Sequence, residues 1–289
     1  MKTLIVSAAA GLFVLIFSPS QVSANPLVNN SDTSKKSSPA LLTEPAKRLV
    51  VVREANVVYP ELLEEHAKYS LDYVEKFSIN RRAYLQRTYL RSKKYFPKAY
   101  PILKKYSVPT EFAVLLALES AFNANAVSGA GAVGYWQIMD DVAKEYGLKI
   151  AANNKKTAAV VKAKPAAKKT IVAKKAVPVD ERKNFSKSTY TAARYLKDRM
   201  RNLDNDWLLI AASYNWGVGN IWNAMERTGK KHPTFWDIKN YVPAETKAYV
   251  MNFIALNVIF KNYEKFRTNS LCFKTITKEE KELPDMAVE

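Results

Sequence analysis

The sequence predicts a mainly α protein held together by packing alone. Three observations carry that expectation. Apolar residues recur at intervals of three and four in one segment after another. Those segments open and close on residues that start and stop helices. Only one cysteine, Cys272, occurs in 289 residues, so no internal disulfide is available. Hydrophobic residues make up 48% of the chain and aromatic residues 11%, enough apolar surface for an ordinary globular core.

In chain order, the first segment reads as an address and not as structure. Lys2 gives a basic start, residues 4–17 are apolar, and Val22-Ser23-Ala24 is a small-x-small cleavage site. Fourteen apolar residues are too few to span a bilayer comfortably. Residues 1–24 are therefore expected to be a signal peptide, with no cysteine placed for lipid attachment, and the rest to be secreted to the periplasm or cell envelope. Residues 25–45, rich in Ser, Asn, Pro and Lys, read as a flexible leader. Residues 48–58 are β-branched and suit a short strand or an extended run.

A helical region is expected over 46–106, packing on the domain that follows. Leu62, Leu63, His66, Tyr69, Tyr73 and Phe77 share one helical face. A basic aromatic stretch continues to Tyr100, with Pro97 and Pro101 read as turns. Ser107-Val-Pro109-Thr-Glu111 reads as a helix start, Ser107 capping it. Phe112, Leu115, Leu116 and Glu119 then follow at i, i+3, i+4 and i+7, which puts a carboxylate on the face that packs inward. Asp140 and Asp141 open a short helix that Gly147 ends. Further helices are expected over 190–200, 206–213, from Ile221 onward, and from Pro243 to about Phe260, with Tyr214-Asn-Trp-Gly-Val-Gly219 as a turn. The main domain is set at 107–274 and a charged, frayed tail at 275–289.

Residues 149–179 interrupt this pattern as a basic insertion. Eight lysines and no acid lie between Lys155 and Lys175, interleaved with Ala and Val. The composition reads as a disordered insertion or loose helix, either a solvated linker or an electrostatic tether to anionic polymer. The whole chain carries a net charge of +18, which implies an anionic partner. The secretion signal favours envelope polymer over nucleic acid. His66 and His232 are far apart and in no metal-ligand spacing, so neither a zinc site nor a Ser-His-Asp hydrolase is supported.

Glu119 carries the chemical argument. It closes the apolar run Val114-Leu-Leu-Ala-Leu-Glu119, where burial disfavours its ionised form. A carboxyl that stays protonated near neutral pH can give its proton to a leaving oxygen, as glycoside cleavage requires. Taken singly, each candidate also has a structural explanation. Glu119 could be a buried ion-pair partner, Gln137 a backbone bridge, and Tyr214 and Tyr249 core tyrosines with bonded hydroxyls. Trp136 reads as packing, and Asn215 could support its turn.

Four blocks in order narrow the choice. They are Leu118-Glu119-Ser120-Ala-Phe122-Asn, Ser128-Gly-Ala-Gly131-Ala-Val-Gly134-Tyr-Trp-Gln137-Ile-Met139, Ser213-Tyr214-Asn215-Trp-Gly217, and Glu245-Thr246-Lys-Ala-Tyr249-Val250. Asp180-Glu-Arg182, Lys187-Ser-Thr189 and Ala192-Ala-Arg-Tyr195-Leu add to the pattern. Together the set resembles the lytic transglycosylases of the lysozyme-like superfamily (SLT type), nearest to their membrane-bound murein transglycosylase D group, over about 60–274. Ser213 and Trp216 depart from it, standing where the family usually has alanine and a small residue.

The resemblance implies a lysozyme-like SLT domain and roles for the matching residues. Glu119 is the sole catalytic acid/base. Ser120 and Gln137 line the cleft, Met139 shapes a sugar subsite, Tyr214 and Asn215 lie near the scissile bond, and Tyr249 faces the same cleft. The glycines at 131 and 134 let the backbone turn past the sugar. The implied reaction cleaves the MurNAc-GlcNAc β-1,4 bond of peptidoglycan without water, leaves a 1,6-anhydro-MurNAc end, and needs no metal or organic cofactor. The rival readings are a hydrolytic muramidase or chitinase and a non-catalytic wall-binding scaffold.

Overall fold

The computed structural model describes residues 48–150 and 179–281. The expected signal peptide, the leader and nearly all of the basic insertion lie outside the described residues. One compact unit contains Val58–Ser270 and every helix named below. A second contains an antiparallel pair, β1 (Arg48–Arg53) and β2 (Ile276–Lys281), with Arg48 opposite Lys281 and Arg53 opposite Ile276. Residues 276–281, expected to fray, are thus a strand. In the same unit the backbone N–H groups of Asn56 and Val57 both donate to the Cys272 carbonyl, and Cys272 is buried as a small apolar side chain.

The helical unit is built around α9 (Ala244–Lys261), which Pro243 precedes and Glu245 favours through its charge in the first turn. From Tyr249 to Ile259 nearly every α9 side chain is buried. A helix apolar on all sides belongs in a core. The same is true of α6 (Trp207–Trp216), whose Leu208–Ser213 are all buried and which packs along α9. Asp206 caps α6 by accepting a 2.8 Å bond from the Leu209 N–H. Around this pair lie α1 (Ala67–Asn80), α2 (Arg82–Lys105), α3 (Leu115–Ser120), α4 (Asp140–Glu145) and α5 (Phe185–Asn202). The shorter α7 (Val218–Glu226), α8 (Phe235–Ile238) and α10 (Tyr263–Arg267) complete it. Helix α1 packs against α9, where the Tyr73 hydroxyl donates to the Asn252 side chain at 2.7 Å.

Three expectations change on folding. Pro97 and Pro101 lie inside α2 and break nothing. They are four residues apart on the exposed face, so the carbonyls they leave unbonded at 93 and 97 face water. Ser107 caps no helix: it takes a left-handed φ of 58°, and a 3-10 turn at Thr110–Val114 leads into α3. Residues 214–216 are the last turn of α6 and not a loop, and Gly217, with φ 85°, makes the break to α7.

The ends of the basic insertion meet. The Lys149 N–H donates to a Glu181 carboxylate oxygen at 2.8 Å, and the Glu181 N–H donates to the Lys149 carbonyl at 2.8 Å.

Candidate active site

Helix α3 has only six residues and delivers Glu119 at its end. Behind it, Leu115, Leu116 and Ala117 are buried, so the inward-facing pattern of 112–119 is realised. After Ser120 the chain turns sharply. Ala121 and Phe122 both take left-handed φ values, 48° and 64°, and their N–H groups return to the carbonyls of Ala117 and Leu116. Phe122 is anchored by stacking on Tyr95, ring centroids 5.2 Å apart. Two non-glycine residues in this region carry strain that the surrounding packing must hold.

The Glu119 carboxyl meets the buried Tyr249 of α9, whose hydroxyl donates to Oε1 at 2.5 Å. Burial pushes the Glu119 pKa up from an ordinary 4.5 to about 7. The Tyr249 hydrogen bond opposes that rise, and the nearby charge of Glu245 adds to it. Glu245 is exposed and lies one turn before Tyr249 on α9. Tyr214 and Tyr249 have their own pKa values raised well above normal, by burial first and then by the Glu119 charge. Both hydroxyls are therefore neutral donors over the physiological range.

The opposing side is a loop, residues 128–139, held through its backbone. Ser120 Oγ donates to the Tyr135 carbonyl at 2.8 Å, and Tyr214 Oη donates to the Trp136 carbonyl at 2.8 Å. Gln137 has a left-handed φ of 47°, and its side-chain nitrogen donates to the carbonyls of Gly134 (2.9 Å) and Ala126 (3.2 Å). Trp136 is fully buried and donates to Thr189 Oγ1 at 3.0 Å, which makes it packing, as its sequence context suggested. Asn215 is buried and accepts a 2.9 Å bond from Thr246 Oγ1, so it ties α6 to α9. Met139 sits at the start of α4, half-buried, and is not in hydrogen-bonding contact with the other candidates. The polar candidates thus reach one another in two linked groups: Glu119 with Tyr249, and Ser120, Gln137 and Tyr214 through the loop.

Arg182, which is not among the sequence candidates, clamps that loop. Its guanidinium is 4% exposed and bonds Asp180 Oδ2 at 2.7 Å and Oδ1 at 2.9 Å. It also donates to the Ile138 carbonyl at 3.2 Å and to the Asp140 carboxylate. Asp140 therefore serves Arg182 and caps nothing; the cap position of α4 is Met139. The Arg182 backbone fixes the glycine as well. A Cβ on Gly134 would stand 2.2 Å from the Arg182 carbonyl oxygen. Gly134, with φ 85°, is required by this close approach. Thr246, Glu245, Arg182 and Tyr195 all fall within quoted sequence blocks, so the signal was present; the spacing simply did not say what each would touch.

Among the described residues no group of His, Cys, Asp and Glu could hold a metal ion, and no helix is long and apolar enough to cross a membrane. The arrangement offers one proton-carrying carboxyl, two neutral phenols and an amide.

Comparison with known proteins finds the following similarities. Residues 99–236 match the family model described as "Transglycosylase SLT domain". The chain is 31% identical over 191 residues to "Membrane-bound lytic murein transglycosylase D" of Escherichia coli K12, covering 65% of this chain and 36% of that protein. It is 25% identical over 158 residues to a "Putative tributyltin chloride resistance protein" of Alteromonas sp. strain M-1, covering 53% of this chain and 64% of that one. A lytic transglycosylase Slt of Pseudomonas aeruginosa, solved as an inactive mutant, aligns at 17% identity and a TM-score of 0.42, covering 62% of this chain and 26% of that one. The chain spans about a third of the length of the Escherichia coli relative.

Proposed function

We propose that this chain, whose residues 99–236 match the transglycosylase SLT domain model, is a peptidoglycan lytic transglycosylase whose single acid and base is Glu119. The observation that carries this reading is the enclosed carboxyl, with its pKa raised to about 7 beside Tyr249. A glycosidic oxygen leaves only when protonated, and a neutral Glu119 supplies that proton. As the bond between the anomeric carbon and that oxygen breaks, positive charge develops on the sugar. The hydroxyl oxygen of Tyr214 and the amide of Gln137 face that charge without a second carboxylate. Glu119, now ionised, takes the proton of the sugar's own C6 hydroxyl as its oxygen bonds to the anomeric carbon. The products are a GlcNAc-ended strand and a 1,6-anhydro-MurNAc end, and Glu119 is protonated again. Ser120 positions the loop through the Tyr135 carbonyl, Asn215 positions Tyr214, and Met139 borders a sugar subsite.

One observation favours the hydrolytic alternative. Glu245 is an exposed carboxylate close enough to raise the Glu119 pKa, and paired carboxylates are the usual equipment for activating water. Mass spectrometry of fragments released from purified peptidoglycan decides between them. The transglycosylase product is lighter than the hydrolytic one by one water. If all reducing ends carry that water, the anhydro mechanism is wrong; if Glu119→Gln releases the same fragments as wild type, the enzyme reading fails.

The same reading places the protein in the periplasm or cell envelope, delivered by the signal peptide of residues 1–24. It makes the basic insertion a tether to anionic wall polymer. Deleting residues 151–178 is expected to weaken binding to isolated wall, with the loss greatest at low salt. Unchanged binding rejects the tether.

A further inference from the structure

We infer that Arg199 receives a carboxylate of the bound glycan, so that the cleft selects acidic strands over neutral ones; the inference rests on the cleft reading given above. Arg199 lies on α5, one turn after Tyr195. Its Nε is the one buried side-chain nitrogen or oxygen without a hydrogen-bond partner among the described residues. Its guanidinium carbon stands 4.6 Å from the centre of the Tyr195 ring. Attraction to a ring face offers no acceptor to an N–H, and a buried donor left without one is costly. Such a group in a folded protein calls for an explanation. Arginine also cannot shed its charge to escape the problem.

The neighbouring charges do not resolve it. Asp198 accepts the Tyr146 hydroxyl at 2.6 Å and lies 4.0 Å from Arg201. Arg194 donates to the Tyr146 carbonyl at 3.1 Å and stacks over the Tyr146 ring. Glu145, exposed at the end of α4, acts on both Tyr146 and Tyr195 but forms no ion pair with Arg199. Of these three arginines, Arg201 has the Asp198 carboxylate and Arg194 the Tyr146 carbonyl, whereas the Arg199 Nε has no acceptor.

Position ties this cation to the site. Tyr195 meets Tyr214 edge-on at 5.6 Å and Tyr146 at 6.1 Å. Tyr214 in turn is bonded to the Trp136 carbonyl in the Gln137 loop. Tyr195 also lies within electrostatic reach of both Arg199 and Glu119. A strip of tyrosines thus runs from the reacting carboxyl to an unpaired guanidinium one side chain further out. A glycan lying along it would bring a carboxylate there from one of two sources, the lactyl group of an unsubstituted muramoyl sugar or an attached peptide. A charge-assisted pair at that place gives selectivity without touching the bond that breaks.

The test is a binding experiment in the Glu119→Gln background, where the glycan is held but not cut. Three purified oligosaccharides of equal length are titrated: a chito-oligosaccharide with no carboxylate, a peptide-free glycan with free lactyl carboxylates, and a glycan whose lactyl groups are amide-linked to peptides. The expected result is a preference for an acidic glycan over the neutral one that falls about tenfold in Arg199→Gln and only partly in Arg199→Lys. A fall on the peptide-free glycan assigns the lactyl carboxylate; a fall confined to the peptide-bearing glycan assigns the peptide. Thermal unfolding confirms that each variant is folded. If Arg199→Gln leaves the acidic-to-neutral ratio as it was, the inference is overturned while the cleft reading stands. If the parent protein binds none of the three, both are overturned together.

Discussion

The two sides of the Glu119 groove are built in opposite ways. On one side, helices α3, α6 and α9 present Glu119, Tyr214 and Tyr249 as side chains on a packed core. On the other, the 128–139 loop takes part mainly through backbone carbonyls, which Ser120, Gln137 and Tyr214 grip, and it is pinned from behind by Arg182. The first side holds the proton. The second, in the function proposed above, is where the sugar would lie against it. A helical wall is rigid because its side chains are buried. A loop at the same site needs polar bonds and left-handed residues to reach comparable order, and those are sensitive to single substitutions.

Mutations separate the two sides. The largest effect is expected at Glu119. Glu119→Gln should lower turnover by about a thousandfold or more, because general acid-base catalysis at one group is worth that order. The same variant sharpens the electrostatic argument. With the folded pKa near 7 and the ordinary value 4.5, the native state binds more protons than the unfolded state between those values. Stability is then full below about 4.5 and declines as pH rises to about 7. Removing the carboxylate should therefore raise stability at pH 8 by about 3 kcal/mol and change it little at pH 4. Equal melting shifts at both pH values contradict a buried, ionisable Glu119.

Next comes the loop. Gly134→Ala puts a Cβ against the Arg182 carbonyl and should cost about 3 kcal/mol, measured by denaturant unfolding. It should also reduce turnover while leaving the Glu119 titration on the helical side in place. If Gly134→Ala shifts that titration strongly, the two sides are not separable in the way described.

A smaller effect is expected at Tyr249. Its hydrogen bond favours the ionised carboxylate, so Tyr249→Phe should raise the Glu119 pKa by about one unit and move the basic limb of the rate profile upward. A downward move would mean that the phenol stabilises the neutral acid instead. The smallest change is at Glu245, an exposed charge that raises the same pKa. Glu245→Gln should move the basic limb down by less than about half a unit, and high salt should erase the difference.

This division also explains what the sequence revealed. Glu119 was legible because helix spacing fixes direction: four residues at i, i+3, i+4 and i+7 left the carboxyl facing inward. Tyr249 was marked by the family resemblance of the block Glu245–Val250 and not by spacing. The mainly α fold, the helical faces and the break at Gly217 came from patterns of short range. Arg182 was quoted in a motif, yet nothing in its spacing told that it would hold the Ile138 carbonyl, because that contact joins segments separated by the insertion. The two prolines of α2 misled for a related reason. A local rule marks them as breakers, and only the finished packing shows that their face is the wet one. The protein partners of Gln137 and Asn215, the Gly134 and Ala126 carbonyls and the Thr246 hydroxyl, lie too far away in the chain or depend too much on the loop's path for spacing to name them.

The reciprocal bonds between Lys149 and Glu181 have a practical consequence. They fasten the two ends of a long excursion together where it leaves and rejoins the helical unit, so the remainder of the domain does not depend on how much chain travels between them. Loop-closure cost grows slowly, about 0.6 kcal/mol for each doubling of length. That junction is therefore a natural port for grafting: a fluorescent reporter or an affinity handle spliced between these two residues should leave the groove intact, provided the clasp itself is kept.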